Sequence, residues 1–543
     1  MIKRELYKKT IRRRLVQLTG LLSLWMLLLG GRLIHVQIMQ QEYWRAQADR
    51  QQRRVIRIAP VRGTIYDRAG RELAKSVEAP SIFAVPMEIE DPDRTARELA
   101  RILKMDPEAL RGKLSERREF VWVKRKVTPE EATAIKALGL AGIHFVTENK
   151  RTYPNGELAA HVLGYAGIDE VGLDGVEFTY DREIRGEEST VFVYRDARGR
   201  TYERAQRPVT RGHDLVLTLD ATIQFHTERE LREAVRRTGA RSGIAIVLDP
   251  KTGEILALAN APTFDPNAFG RASDEARRNR AVRELYEPGS VFKIVTFAAA
   301  LEEGLLRPNE VIECLGGRIV LAGHAIRDHR PFFRLTAREV LEQSSNVGTI
   351  QIALRVGAER LAQYIERFGF GRRTGIELPG EARGLIRPVR RWKPVSIGAI
   401  AIGQEIGVTA LQMAAAMAVI ANDGVWVQPH LVRAVRSREG EVVRRADPER
   451  RRVISAPTAR ALADLLHGVV ERGTGRLAQL SGYSAAGKTG TAQQFDPRTR
   501  RYSKTRYVAS FAGFAPVADP RVVVLVALDH PRTRHFGGEV AAP

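Results

Sequence analysis

The 543-residue chain is almost free of cysteine. Cys314 is its single thiol, so no internal disulfide and no cysteine-ligated zinc or iron–sulfur cluster can form. Metal-ligand spacing is equally scarce. His324, Asp328 and His329 share a predicted loop, but no further ligand stands at a recognisable spacing, and no metal is expected. No repeat or low-complexity tract is present. With 44% hydrophobic and 28% charged residues the composition is that of a globular protein, which excludes a mostly disordered or fibrous chain. Acid is in short supply: 64 Asp and Glu against 87 Lys and Arg leave a net charge of +23, which calls for an anionic partner. The length exceeds what one hydrophobic core can serve, so two or three domains are expected.

Long apolar runs are missing too, with one exception. Leu15 to Gly31 carries no charge, and Leu33, Ile34, Val36 and Ile38 extend it past Arg32. Roughly 17 residues is the lower limit for crossing a bilayer core. Lys3, Arg4, Lys8, Lys9, Arg12, Arg13 and Arg14 precede the run and would remain cytoplasmic, with everything after about residue 37 outside. No small-x-small site closes the run, so it reads as a signal anchor and not as a cleaved peptide. The expected layout is a cytoplasmic tail over 1–14 and a single-pass anchor over 15–38 in the cytoplasmic (inner) membrane. Most of the chain then lies where there is no nucleic acid. A lipid surface or an anionic wall polymer remains compatible with the charge.

Residues 39–212 are rich in Arg, Glu and turn signals. Short extended runs (Val55–Val61, Val191–Tyr194) alternate with helical periods (Thr95–Lys104, Pro129–Leu138). From 213 to 543 the texture changes. Predicted strands (Leu215–Leu219, Ile244–Leu248, Ile255–Ala259, Val522–Leu528) enclose long apolar helices such as Ser290–Glu303 and Thr409–Asn422. A turn at Asp249–Gly253 joins two of the strands locally. This order suggests an α+β fold with a central antiparallel sheet flanked by helices.

The chemistry is concentrated in three short segments. Pro288-Gly289 punctuates a turn, after which Ser290 opens a helix and Lys293 follows one turn on. A helix N-terminus favours a developing anion. Apolar residues surround Lys293, and burial would lower its pKa and let a neutral amine act as base towards Ser290. Ser344-Ser345-Asn346 and Lys488-Thr489-Gly490-Thr491 follow, about 54 and then 144 residues further on. Serine-x-x-lysine, serine-x-asparagine and lysine-threonine-glycine in that order form the motif set of penicillin-binding proteins and class A β-lactamases. Ser344 and Lys488 can pass a proton to a leaving amine, and Asn346 can bond a substrate amide. Thr489 and Thr491 can hold a terminal carboxylate, with the amides of Ser290 and Thr491 as oxyanion donors.

Beyond these triplets the chain resembles the class B penicillin-binding proteins, monofunctional peptidoglycan DD-transpeptidases. Arg62–Ala74 is similar to the first non-catalytic box of that family. Arg151–Pro154 with Ala160–Tyr165 is similar to the second, and Gly172–Glu177 to the third. Gly403-Gln404, Val408–Gln412 and Asn422–Gly424 also fit. The resemblance implies a pedestal domain over 39–212 and a transpeptidase domain over 213–543. It further implies acylation of Ser290 by a D-alanyl-D-alanine stem, transfer to a neighbouring stem's amine, and covalent inhibition by β-lactams. No cofactor is implied, and no glycosyltransferase or PASTA domain is visible. The Gly403–Gln412 segment resembles the division-type (FtsI-like) or sporulation-type branch. That implies a polytopic lipid-II polymerase partner, FtsW-like, or RodA-like for an elongation enzyme. A DD-carboxypeptidase, a β-lactamase and a catalytically silent division scaffold are the alternatives.

Two departures accompany the resemblance. Glu405 stands where glycine is expected after Gln404, and the closing C-terminal helix is apparently absent before Pro543. Two decoys are set aside. Gly482–Thr489 spells a P-loop, but Gly490 and Asp496-Pro497 leave no room for the helix that a P-loop requires after its lysine. The other lysine-threonine-glycine, Lys251–Gly253, falls in a predicted turn.

Overall fold

The computed structural model describes residues 2–58, 60–116, 118, 120–186, 189–195, 201–206, 211–496, 499 and 501–543. They form two compact units, Met1–Ala59 with Glu188–Thr210 and Pro60–Glu187 with Arg211–Pro543. In the first unit the helix Ile2–Ile34 runs into one π-helical turn, His35–Met39. Its stretch Ile11–Met39 has a mean hydropathy of 1.6 and is long and apolar enough to cross a membrane. Leu21 and Leu27 are each 73% exposed there, an arrangement that lipid accommodates and water does not. The strand Arg53–Ile58 pairs antiparallel with Ser189–Arg195, which in turn pairs with Thr201–Gln206. The predicted strand Val55–Val61 is realised as Arg53–Ile58, and Ala59 lies outside the described residues.

Two sheets organise the second unit. One has seven strands, in the order Val442–Arg445, Val432–Arg436, Asp214–Leu217, Ile65–Tyr66, Glu72–Ala84 and Val121–Lys124, with Ile143–Thr152 also on Glu72–Ala84. It draws strands from both sides of residue 212, and Asp214–Leu217 meets Ile65–Tyr66 in parallel. Beneath it the three boxes meet at one buried ion cluster. Arg62, fully enclosed, donates to Glu177 at 2.6 Å and 3.0 Å, and Arg151 donates to the other oxygen of Glu177 at 2.6 Å. Asp181 pairs with Arg62 as well, and the Tyr153 hydroxyl completes the ring at 3.3 Å. A carboxylate so deeply buried is tolerated only because two guanidiniums face it, and its pKa falls below the ordinary value despite burial.

The other sheet has five antiparallel strands: β1 (Ser242–Leu248), β2 (Ile255–Ala261), β3 (Ala486–Asp496), β4 (Arg501–Ala515) and β5 (Val522–Asp529), ordered β2-β1-β5-β4-β3. Five helices bear on the site: α1 (Ala221–Thr238), α2 (Lys293–Glu302), α3 (Asn346–Val356), α4 (Ala410–Ala421) and α5 (Ala456–Glu471). All seven residues of β1 are buried, as expected of a strand covered on both faces. Ile244, Ile246 and Leu248 share one core with α2 and α4, while Ala245 joins Leu231 of α1 in another. The period of two thus sorts a continuous apolar run between two helical layers. Every residue of α4 is buried, and a reciprocal capping box of Thr409 and Gln412 fixes its start. The predicted helix Ser290–Glu303 begins later as an α-helix, at Lys293, because Gly289–Phe292 forms a tighter 3-10 turn.

Candidate active site

Ser290 sits in that 3-10 turn. Gly289 lies in the left-handed region at φ +55°, and its amide donates to the Gly403 carbonyl at 3.0 Å. A Cβ on Gly403 would stand 2.1 Å from the Gly289 carbonyl oxygen, so the Gly403-Gln404 segment packs directly against the backbone of the serine turn. The side chain of Ser290 is partly exposed and has no hydrogen-bond partner among the described residues. Lys293 then opens α2, whose flanking Ile294, Val295 and Phe297 are fully buried.

The lysine makes no hydrogen bond to Ser290 among the described residues. Its Nζ donates to the Ser344 carbonyl at 2.6 Å, to Asn346 Oδ1 at 2.9 Å and to Ser344 Oγ at 3.3 Å. Ser344 can present both oxygens because it holds a left-handed conformation, φ +57°, between the helix Ala337–Glu342 and α3. From the opposite wall Lys488 of β3 donates to the same Ser344 Oγ at 3.0 Å and to the Thr489 carbonyl at 3.1 Å. Segments some 50 and 144 residues apart in sequence therefore converge on one hydroxyl. Both lysines are fully buried. Burial draws Lys293 down to about 7, with the Asp328 carboxylate opposing the fall. Lys488 is held well below its ordinary value, by burial first and then by the charge of Lys293.

β3 is the edge strand of its sheet, with one row of backbone groups turned away from β4. In register, Lys488, Thr489, Gly490 and Thr491 face Ala512, Phe511, Ser510 and Ala509. Gly490 permits close approach to the serine turn. A Cβ there would stand 2.8 Å from Val291 Cγ2 and 2.9 Å from the Pro288 carbonyl oxygen. Thr491 Oγ1 accepts from the Gly537 amide at 3.0 Å, at the start of the short helix Gly537–Val540. Thr489 and Thr474 share a hydrogen bond of 2.8 Å between their hydroxyls.

Four residues of this neighbourhood were given no role at the site by the sequence reading. Asp328, taken above as part of a metal decoy, spends its carboxylate on the start of α3. It accepts from Ser345 Oγ at 2.8 Å, from the Val347 amide at 3.1 Å and from the Asn346 amide. It lies 18 residues before Asn346, and no local pattern signals that pairing. Thr474 is equally unmarked. Glu287, three residues ahead of Ser290, accepts from Tyr502 at 3.0 Å and from the Glu405 amide at 2.9 Å, and burial raises its pKa. Glu405 itself adopts φ +59°, the conformation that makes glycine the natural choice there. Its side chain is held by Arg387 and by Ser396 at 2.8 Å.

The decoys resolve in physical terms. Lys488 lies inside β3, which runs unbroken to Asp496, so no helix starts at the lysine of the P-loop expression; Pro497 is outside the described residues. Lys251–Gly253 occupies the turn between β1 and β2, with Asp249 accepting from the Lys251 amide at 2.8 Å.

Similar proteins are known in both sequence and structure. The family model for the penicillin binding protein transpeptidase domain matches residues 243–543, and that for the penicillin-binding protein dimerisation domain matches 57–217. Stage V sporulation protein D of Bacillus subtilis is 36% identical over 554 residues, covering 98% of this chain and 84% of that protein. Peptidoglycan D,D-transpeptidase FtsI of Escherichia coli is 33% identical over 540 residues, covering 98% and 90%. Among solved structures, penicillin binding protein 3 of Mycobacterium tuberculosis, complexed with aztreonam, matches at TM-score 0.70 and 32% identity over 89% of this chain and 94% of that one.

Proposed function

This chain belongs to the class B penicillin-binding proteins, the peptidoglycan D,D-transpeptidases, and from that premise we propose that its reaction runs through an acyl-enzyme on Ser290. The observation that carries the assignment is the pair of buried lysines meeting at Ser344 Oγ beside the serine turn. With a pKa of about 7, Lys293 is neutral in a large fraction of molecules at physiological pH and can take the Ser290 proton. The serine oxygen bonds to the carbonyl carbon of the penultimate D-alanine, and the amides of Ser290 and Thr491 receive the developing oxyanion. As the C–N bond to the terminal D-alanine breaks, the proton travels from Lys293 through Ser344 to the departing amine. Lys488 orients Ser344, and Asn346 bonds the stem's amide. Thr489, Gly490 and Thr491 form the substrate-binding strand, with the two threonine hydroxyls at the stem's terminal carboxylate. The amine of a neighbouring stem then attacks the ester, and the same proton path runs in reverse to free Ser290.

β-Lactams acylate the same serine under this reading, as the aztreonam complex of the mycobacterial relative suggests. The basic cluster before Leu15 keeps the N-terminus cytoplasmic, which leaves the catalytic unit outside the inner membrane with a single span between. The similarity to FtsI supports septal cross-linking during division, beside an FtsW-like polymerase, as the cellular role in this reading. Labelling with fluorescent penicillin tests the core of the proposal. Ser290→Ala should abolish the label while the wild type holds it for many minutes; release within seconds would favour a hydrolase. Depletion should yield filaments, and rounded cells would assign the enzyme to elongation.

A further inference from the structure

A second concave site lies within the Pro60–Glu187 and Arg211–Pro543 unit, against the seven-stranded sheet and apart from the serine. A cavity of about 470 Å³ is lined by Arg68, Arg433, Arg436, Arg445 and Arg450, with Glu254 as its only acid. Glu254 is nearly buried and gives one oxygen to Arg68 at 3.1 Å and the other to Arg433 at 3.4 Å. Arg436, Arg445 and Arg450 pair with no carboxylate among the described residues, whereas their sequence neighbours are satisfied. Arg444 pairs with Glu183 at 3.5 Å, Arg451 stacks 4.4 Å over Trp426, and Arg452 donates to the Asp423 carbonyl at 2.9 Å.

An arginine-rich chain spreads surplus charge over convex surface, where water and salt screen it. Here five guanidiniums against one carboxylate leave a surplus of four in one concavity, which concentrates the field on whatever enters. A monovalent carboxylate would leave most of that charge uncompensated. The planar guanidinium fork matches phosphoryl oxygens two at a time. We propose that this cleft binds a diphosphate group, carried either by a soluble ligand or by a phospholipid-type headgroup. The site is independent of the acyl-enzyme chemistry and stands or falls separately from it.

Titration of the full-length protein in neutral detergent with inorganic pyrophosphate, beside sodium sulfate at equal ionic strength, tests the proposal. One pyrophosphate should bind per chain, well above sulfate, and weaken steeply with added salt. The exposed pair Arg436→Glu/Arg445→Glu should lower the affinity at least tenfold, and Arg436→Gln/Arg445→Gln should fall between it and the wild type. Penicillin labelling of Ser290 should be unchanged in both, which certifies the fold. Competition by diacylglycerol pyrophosphate in mixed micelles would assign the headgroup as source, and its absence would assign a soluble diphosphate. Pyrophosphate no better than sulfate, or undiminished in the glutamate pair, overturns the proposal.

Discussion

Acylation of Ser290 should carry the titration of Lys293 in its pH dependence. Burial brings that lysine to about 7. The neutral amine is then about half the population at pH 7, about a tenth at pH 6 and about a hundredth at pH 5. The second-order rate constant for a fluorescent penicillin, followed by stopped flow, should rise about a hundredfold from pH 5 to pH 9, with unit slope below 7 and a plateau above. A lysine at the ordinary 10.5 would give a log-linear rise with no bend anywhere in that range. Unfolding does not mimic the effect. The folded value lies below the unfolded one, so the unfolded chain holds the extra proton only between about 7 and 10.5, and this group makes stability rise with pH across that window. Below pH 7 both states are protonated and the contribution is constant. Asp328→Asn supplies the internal control: its carboxylate raises the Lys293 value, so the bend should move to lower pH. A flat profile from pH 5 to 8, or a rise still at unit slope at pH 9, would refute Lys293 as the base.

Four further outcomes are open to measurement. Ser344→Ala removes the oxygen that both lysines share and should cut acylation by about two orders of magnitude, the usual scale for a proton-transfer group, with thermal unfolding little changed. Gly490→Ala would press a methyl against Val291 and the Pro288 carbonyl. Labelling should fall at least tenfold, and a fully active variant would mean that the strand can retreat at no cost. Arg62→Met strips the enclosed Glu177 of one partner and should destabilise the fold by about 3–5 kcal/mol in denaturant titration, without altering the acylation rate of the folded fraction. Thr474→Val breaks the hydroxyl pair with Thr489. It should weaken turnover of a carboxylate-bearing stem analogue through KM more than through kcat, and equal losses in both would count against a binding role.

The sequence was most legible where chemistry is local. Ser290 and Lys293 are one helical turn apart, and the continuous apolar run of β1 declares a doubly covered strand. The order of the three motifs anticipated that Ser344, Asn346 and Lys488 would meet. What it could not show was that Lys293 would spend its donors on residues 344 and 346, since that choice depends on the left-handed turn at Ser344. Asp328 and Thr474 were illegible for a related reason: each acts on a residue brought near only by the packing of separate elements. Glu405 stands as a departure from the expected glycine that the sequence alone does not explain. Its backbone keeps the glycine conformation, and the cost is offset by contacts from Arg387, Ser396 and Glu287 that lie far off in sequence or on another turn.

The seven-stranded sheet has a practical corollary for anyone wishing to free the enzyme from lipid. Asp214–Leu217 is sandwiched between Ile65–Tyr66 and Val432–Arg436, so excision at residue 213 would strip the inner neighbour from a fully buried strand. Such a fragment would expose a raw, sticky border of unpaired amides and carbonyls and should precipitate. A cut between Met39 and Arg53 removes the apolar span, keeps that border sealed and leaves Arg53–Ile58 paired with Ser189–Arg195, and is the place to begin a soluble version.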